Sequence, residues 1–146
     1  MAWETKYWDD VSEGEDLPHQ TQEITRASVI AMAFAARDFY PPVHFDHEAA
    51  QEAGLNDVNV NIIATGGLVS KYLTDWSGPK GKLKNLQYQL GLSVYPGDIL
   101  TYSGNVIRKS ADGDENVVDV EYKLSVAAGV HAWGAATLVL PDEGRH

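Results

Sequence analysis

Apolar and polar residues alternate most clearly in the second half of the chain. Leu86, Tyr88, Leu90, Leu92 and Val94 alternate with Gln87, Gln89, Gly91 and Ser93, which is the two-residue period of a half-buried strand over 83–94. Tyr95-Pro96-Gly97-Asp98 is a turn: proline presets one backbone angle and glycine supplies the permissive residue. Ile99 to Arg108 follows as a second strand, and Ala111-Asp112-Gly113-Asp114 as a second turn. Val118, Val120, Tyr122, Leu124 and Val126 alternate again, and His131 to Leu140 makes a last strand with a small-residue face of Ala, Gly and Ala. Connections this short imply antiparallel neighbours, so the expected sheet is a meander of four long strands.

The first half has helical content. Residues 1–19 read as an irregular, acidic lead-in with scattered aromatics, and residues 20–25 as a short strand. Arg26 to Asp38 is rich in helix formers and apolar on nearly all sides, with Pro41-Pro42 expected to end the helix. Asp46 reads as the cap of a short helix from His47 to Ala53, closed by Gly54. An alternation of asparagine and valine within 55–65 leads to Ile62-Ile63-Ala64. Thr65-Gly66-Gly67 then opens a helix from Leu68 to Trp76, stopped by Ser77-Gly78-Pro79. Helices beside a curved antiparallel sheet make an α+β architecture in which the sheet wraps the 68–76 helix.

Composition narrows the functions. The 146 residues suit one domain, and 44% hydrophobic content supports a real core. No apolar run approaches the roughly twenty residues a membrane helix needs, and Met1 to Lys6 does not resemble a signal peptide. The absence of cysteine removes disulfides, thiolate nucleophiles and cysteine–zinc sites, and fits a cytoplasmic protein. A formal charge of −10 argues against nucleic acid and against anionic membrane surfaces. A phosphate-bearing ligand would need a local basic patch or a partner chain that supplies one. Lys80, Lys82 and Lys84 form a compact basic cluster that reads first as a solvated strand edge.

Candidate reactive groups are therefore histidines, carboxylates and hydroxyls. His19 sits in a polar loop, His47 in a helical first turn, His131 at a strand start and His146 at the terminus. His44 differs, because Asp38 and His44 flank a stiff double-proline bend and could face one cleft, holding a water and exchanging protons with it. The plain alternative is that Asp38 terminates the helix and His44 packs beside Phe45. Gly66 and Gly67, at a helix opening, would leave N–H donors free to stabilise an oxyanion; close backbone packing is the simpler explanation of the pair. Asp75 and Asp98 read as cap or turn residues.

These residues resemble a known family. Asp38 to His44 followed by Asp46 is similar to the hydratase motif of MaoC-like (R)-specific enoyl-CoA hydratases. Ile63-Ala64-Thr65-Gly66-Gly67-Leu68 resembles the family's Ile-Ala-His-Gly-Met-Leu element, and Tyr95-Pro96-Gly97-Asp98 its Pro-Gly-Asp turn. Arg37-Asp38-Phe39, Val60-Asn61-Ile62, Gly67-Leu68-Val69 and Leu73 to Pro79 resemble the small MaoC-like subunit of steroid side-chain enoyl-CoA hydratases. There are two departures: the Asp38–His44 loop is one residue longer than the family's, and Thr65 stands where the family has histidine.

The resemblance implies a hot-dog fold and a hydro-lyase that adds water to a trans-2-enoyl thioester with a bulky or steroid-derived acyl group. Asp38 and His44 would activate the water, and the backbone N–H of Gly66 would polarise the thioester carbonyl. Tyr40, Asn61, Thr65 and Gly67 would bind substrate. No metal or separate cofactor is implied; coenzyme A enters as part of the substrate. The chain would pair with a copy of itself or with a second hot-dog chain. The longer loop keeps a second expectation open, a non-catalytic hot-dog subunit that stabilises a partner or shapes its acyl tunnel. A hot-dog thioesterase ranks last, since residues 61–73 hold no Asp or Glu.

Overall fold

The computed structural model describes residues 3–143. The elements run β1 (Gln20–Glu23), α1 (Arg26–Ala35), α2 (His47–Glu52), α3 (Ile62–Ser77), β2 (Lys82–Leu90), β3 (Ile99–Asp112), β4 (Glu115–Val126) and β5 (Gly129–Leu140). All strands join one antiparallel sheet in the order β1-β3-β4-β5-β2, with α3 lying across β2 and β5. This is the α+β hot-dog arrangement expected from the sequence, a sheet curved around one helix.

The strand order corrects the expected four-strand meander. Only β3, β4 and β5 form one, and β2 pairs with β5 at the far edge instead of with β3. β2 ends at Leu90, but Gly91 and Leu92 still donate to the carbonyls of His131 and Val130. The chain then leaves β5 and crosses the sheet end, where the Val94 carbonyl accepts from Val60 and Gly97 N–H donates to Ile24. A connection of hairpin length is thus a crossover, because its first residues remain paired with β5.

α3 carries the core. Thr65, Val69, Tyr72, Leu73 and Trp76 recur at helical spacing and are buried against Val118, Val120, Leu124, Ala132, Ala136 and Leu138 of the sheet. The small-residue face of β5 gives Ala132 and Ala136 to this contact. The lead-in is irregular, as expected, but anchored. Val11 and Leu17 are core residues, and Lys109 Nζ donates to the carbonyls of Trp8 and Val11 while stacking over the Trp8 ring.

Gly78 marks where the lead-in crosses the end of α3. Its φ is +75°, and a Cβ there would lie 2.1 Å from the Glu4 carbonyl oxygen. Gly78→Ala is expected to lower stability by roughly 2 kcal/mol or more, combining left-handed strain with backbone overlap. Urea denaturation checks this, and increased protease cleavage before Val11 would accompany the loss.

Candidate active site

α1 ends by a different device from the one expected. It stops at Ala35, well before Pro41. Arg37 adopts φ +55°, its N–H donates to Phe34 and the Asp38 N–H reaches back to Ala33. These are the paired bonds of a left-handed helix stop usually built on glycine. Arginine there costs about 1 kcal/mol, and the turn delivers Asp38 outside the helix. A cis Tyr40–Pro41 bond and a tight turn over Pro42–His44 follow, with Val43 buried beneath. Asp46 closes the bend by capping α2, accepting from the Ala49 N–H at 3.1 Å.

The bend brings Asp38 and His44 together. His44 Nε2 lies 3.5 Å from Asp38 Oδ2, and both side chains are mostly buried. His44 Nδ1 is 2.8 Å from the Asn59 carbonyl. A carbonyl only accepts, so Nδ1 carries hydrogen; when the ring is neutral, Nε2 is bare and faces the carboxylate. Two acceptors facing one another suit a water that donates a hydrogen to each.

Asn59 is held by its neighbours. Val58 and Val60 point into the core, so Asn59 and Asn61 occupy the opposite face of this extended segment. This accounts for the asparagine–valine alternation. Asp57 anchors the segment: it accepts two bonds from Arg26, one from the Val58 N–H, and meets His47 Nδ1 at 2.8 Å. The Arg26 guanidinium, against burial and with help from His47 and the Val58 N–H, holds the Asp57 carboxyl down at about 2.

The other expected residues divide. α3 starts at Ile62, earlier than the expected Leu68, with Asn61 as cap: its Oδ1 accepts from Ala64 N–H at 2.6 Å. Thr65, Gly66 and Gly67 therefore lie inside the helix and do not open it, and the Gly66 N–H belongs to the helical ladder. The N–H groups left free at the helix mouth are those of Ile62 and Ile63. Gly66 faces the Tyr88 ring, whose hydroxyl would sit 2.8 Å from an added Cβ, so close packing is what this glycine serves. Gly67 faces open space. Tyr40 lies on the Asp38–His44 loop and is 89% exposed.

Thr65 is fully buried and bonded away from solvent. Its Oγ1 lies 2.8 Å from His131 Nε2 and 3.2 Å from the Asn61 carbonyl. His131 Nδ1 donates to the Leu92 carbonyl at 2.6 Å. His131 is packed, the plain expectation for it, and it sets an imidazole against Thr65, the residue that stands where the resembling family has histidine. Burial drives the His131 pKa down, against a smaller upward effect of the Leu92 carbonyl. The orienting role of Asn59 was not read from the sequence; the alternation was its one signal.

The remaining candidates stay structural. His47 is exposed, Asp98 accepts from Tyr95 N–H within its turn, and Asp75 pairs with Lys71. Lys84 pairs with Glu115 and Asp112 beside the β2 edge. His146 lies outside the described residues.

No family model matches the chain. Over 78 residues it is 41% identical to the 3-oxo-4,17-pregnadiene-20-carboxyl-CoA hydratase beta subunit of Mycobacterium tuberculosis, covering 53% of this chain and 60% of that relative. The match thus spans less than two thirds of the curated relative. The crystal structure of the ChsH1-ChsH2 complex from Mycobacterium tuberculosis contains a chain with TM-score 0.82 and 32% identity, covering 88% of this chain and 98% of that one. The R-hydratase PhaJ1 from Pseudomonas aeruginosa, unliganded, gives TM-score 0.82 at 21% identity over 94% of this chain and 86% of its own, a likeness of fold.

Two outcomes follow from the α3 environment. Gly66→Ala is expected to cost about 1–3 kcal/mol in urea denaturation, and Tyr88→Leu in the same chain should recover part of it by removing the ring. For His131 the unfolded chain takes up a proton more readily than the folded one. The stability that neutral burial protects is fully present above about pH 6.5 and declines as pH falls below it. Denaturation midpoints at pH 7.5 and 5.5 check the slope, which His131→Gln should flatten.

Proposed function

Because the chain belongs to the MaoC-like hydratase family, we propose that it is an enoyl-CoA hydratase, adding water to a trans-2-enoyl thioester. The observation that carries this reading is the meeting of Asp38 and His44 at 3.5 Å across the bend. A water lying against both acceptors is turned so that its oxygen lone pair points outward. Its oxygen bonds to the β-carbon while one O–H bond breaks toward the pair. The π electrons move to the α-carbon through an enolate, and a proton returned from the pair completes the C–H bond there. The longer bend still brings Asp38 and His44 together, which favours a catalytic chain over a degenerate subunit. A thioesterase has less support: α3 carries no carboxylate before Asp75.

The substrate is a CoA thioester with a bulky, steroid-derived acyl group. The 41% identical relative named for a pregnadiene carboxyl-CoA supports this. The protein assembles with a second hot-dog chain, as the complex containing the 32% identical chain suggests. Exposed apolar residues fit that assembly: Ile62 and Ile63 at the mouth of α3, and Leu90 and Leu92 at the end of the edge strand β2. With a formal charge of −10, much of the cation for CoA phosphates comes from the partner.

Hydration of enoyl-CoA, followed by loss of the conjugated absorbance with the chain and its partner, tests this. Asp38→Asn and His44→Gln are each expected to lower kcat/KM by about a hundredfold or more while leaving thermal stability near that of the parent. Full activity in Asp38→Asn would remove the pair from the mechanism.

A further inference from the structure

The mouth of α3 contains a donor that the water-activating pair does not use. Asn61 is 2% exposed, and its Nδ2 has no hydrogen-bond partner among the described residues. The amide cannot exchange its ends, because Oδ1 is committed to the Ala64 N–H at 2.6 Å. Two N–H bonds are thus fixed in direction and left unspent. An unmade hydrogen bond in a buried site costs about 1–3 kcal/mol, so a ligand that supplies an acceptor recovers it.

The surroundings define that acceptor. Ile62 and Ile63, the first two residues of α3, have backbone N–H groups outside the helical ladder. Asn61 Nδ2 adds to them at the positive end of a sixteen-residue helix. Asn59 Oδ1, two residues earlier, is an acceptor that is also buried without a partner among the described residues, while the N–H groups at the mouth itself are donors and match an oxygen that gathers negative charge. The Gly66 N–H, the donor expected from the family resemblance, is spent inside the helix. Asn61 lies two residues beyond Asn59, whose carbonyl orients His44, so one short segment serves both places.

We propose that Asn61 Nδ2 donates to the acyl carbonyl oxygen of the thioester, stabilising the enolate oxygen as water adds. This rests on the hydratase reading for the identity of the ligand. The test therefore reads binding as well as turnover.

The Asn61 side-chain amide is followed by NMR in the 15N-labelled full-length chain with its partner, during titration with butyryl-CoA and with S-butyl-CoA, a thioether lacking the carbonyl. The Nδ2 protons should move with butyryl-CoA and stay in place with S-butyl-CoA. Asn61→Ser keeps a capping oxygen but loses the amide donor. It should bind butyryl-CoA about tenfold more weakly, bind S-butyl-CoA as the parent does, and lose about a hundredfold in kcat/KM for crotonyl-CoA. Asn61→Asp, which retains Oδ1, replaces it if the serine variant melts early.

Equal shifts with both ligands, binding of neither, or unchanged affinity and rate in both variants would overturn the assignment. So would Nδ2 protons held by a long-lived water that no ligand displaces. Hydration at full rate by Asn61→Ser removes Asn61 and leaves the hydratase reading standing. A carbonyl-dependent shift in a protein that hydrates no enoyl-CoA does the reverse.

Discussion

The hydrogen bond from His44 Nδ1 to the Asn59 carbonyl fixes everything chemical in this molecule. It sets the tautomer, turns the ring, and ties the bend after α1 to the segment that enters α3. Without it the imidazole could rotate about two side-chain torsions, and the facing of Nε2 and Asp38 would be one arrangement among several. The bond is to backbone, so its position is set by the path of residues 58–61. That path is held by Val58 and Val60 in the core and by the Val60–Val94 hydrogen bond. The site is as rigid as the core beneath it, which is what a reaction sensitive to small misplacement needs.

The opposite side of the contact is held more locally. Asp38 follows a left-handed residue that is arginine, and the helix stop around it makes two bonds back into α1. The strain of about 1 kcal/mol is small beside those bonds and the packing of Val43. Arg26, Asp57 and His47 clasp the beginnings of α1 and α2 to the 57–61 segment from outside. Asp38 and His44 thus sit between an apolar anchor and an ionic one. The ionic anchor is partly exposed, so it sets position more than stability.

What was legible in the sequence follows which forces are local. Strand alternation, the Asp46 cap and the Gly113 turn are written within a few residues, and these elements appear near their patterns, although the strand expected over 83–94 ends at Leu90. The Asp38–His44 pairing was legible because proline restricts the chain whatever surrounds it. The start of α3 was not, since Gly66-Gly67 disfavours a helix interior by intrinsic propensity. What overrides it is Tyr88, distant in sequence, whose ring needs the space beside Gly66. Asn61 before an apolar run was the available cap signal, hidden because the same residue ends an alternation that looks extended. The crossover after β2 was also hidden: turn residues specify a bend and leave the neighbouring strand open, and pairing with β5 decides it. Thr65 in place of histidine has its answer in His131, reachable only through the register of β5.

The two chemical loci have opposite polarity, and this follows from their backbone. At the bend, Asn59 takes the hydrogen on His44 Nδ1, so in the neutral ring what faces Asp38 is acceptor. At the helix mouth, the carbonyls run inward along α3 and the cap oxygen of Asn61 is consumed by Ala64, so what remains is donor. On the hydratase reading proposed above, a conjugated thioester has the matching polarity, with a β-carbon that needs a nucleophile freed of its proton and a carbonyl oxygen that gains charge when one attacks. Water held by acceptors and an oxygen met by donors are preferred over the reverse orientation, because reversing the ligand would set lone pairs against lone pairs. The 59–61 segment has contacts at both loci. On that proposal, the orientation of the thioester rests on three residues of backbone.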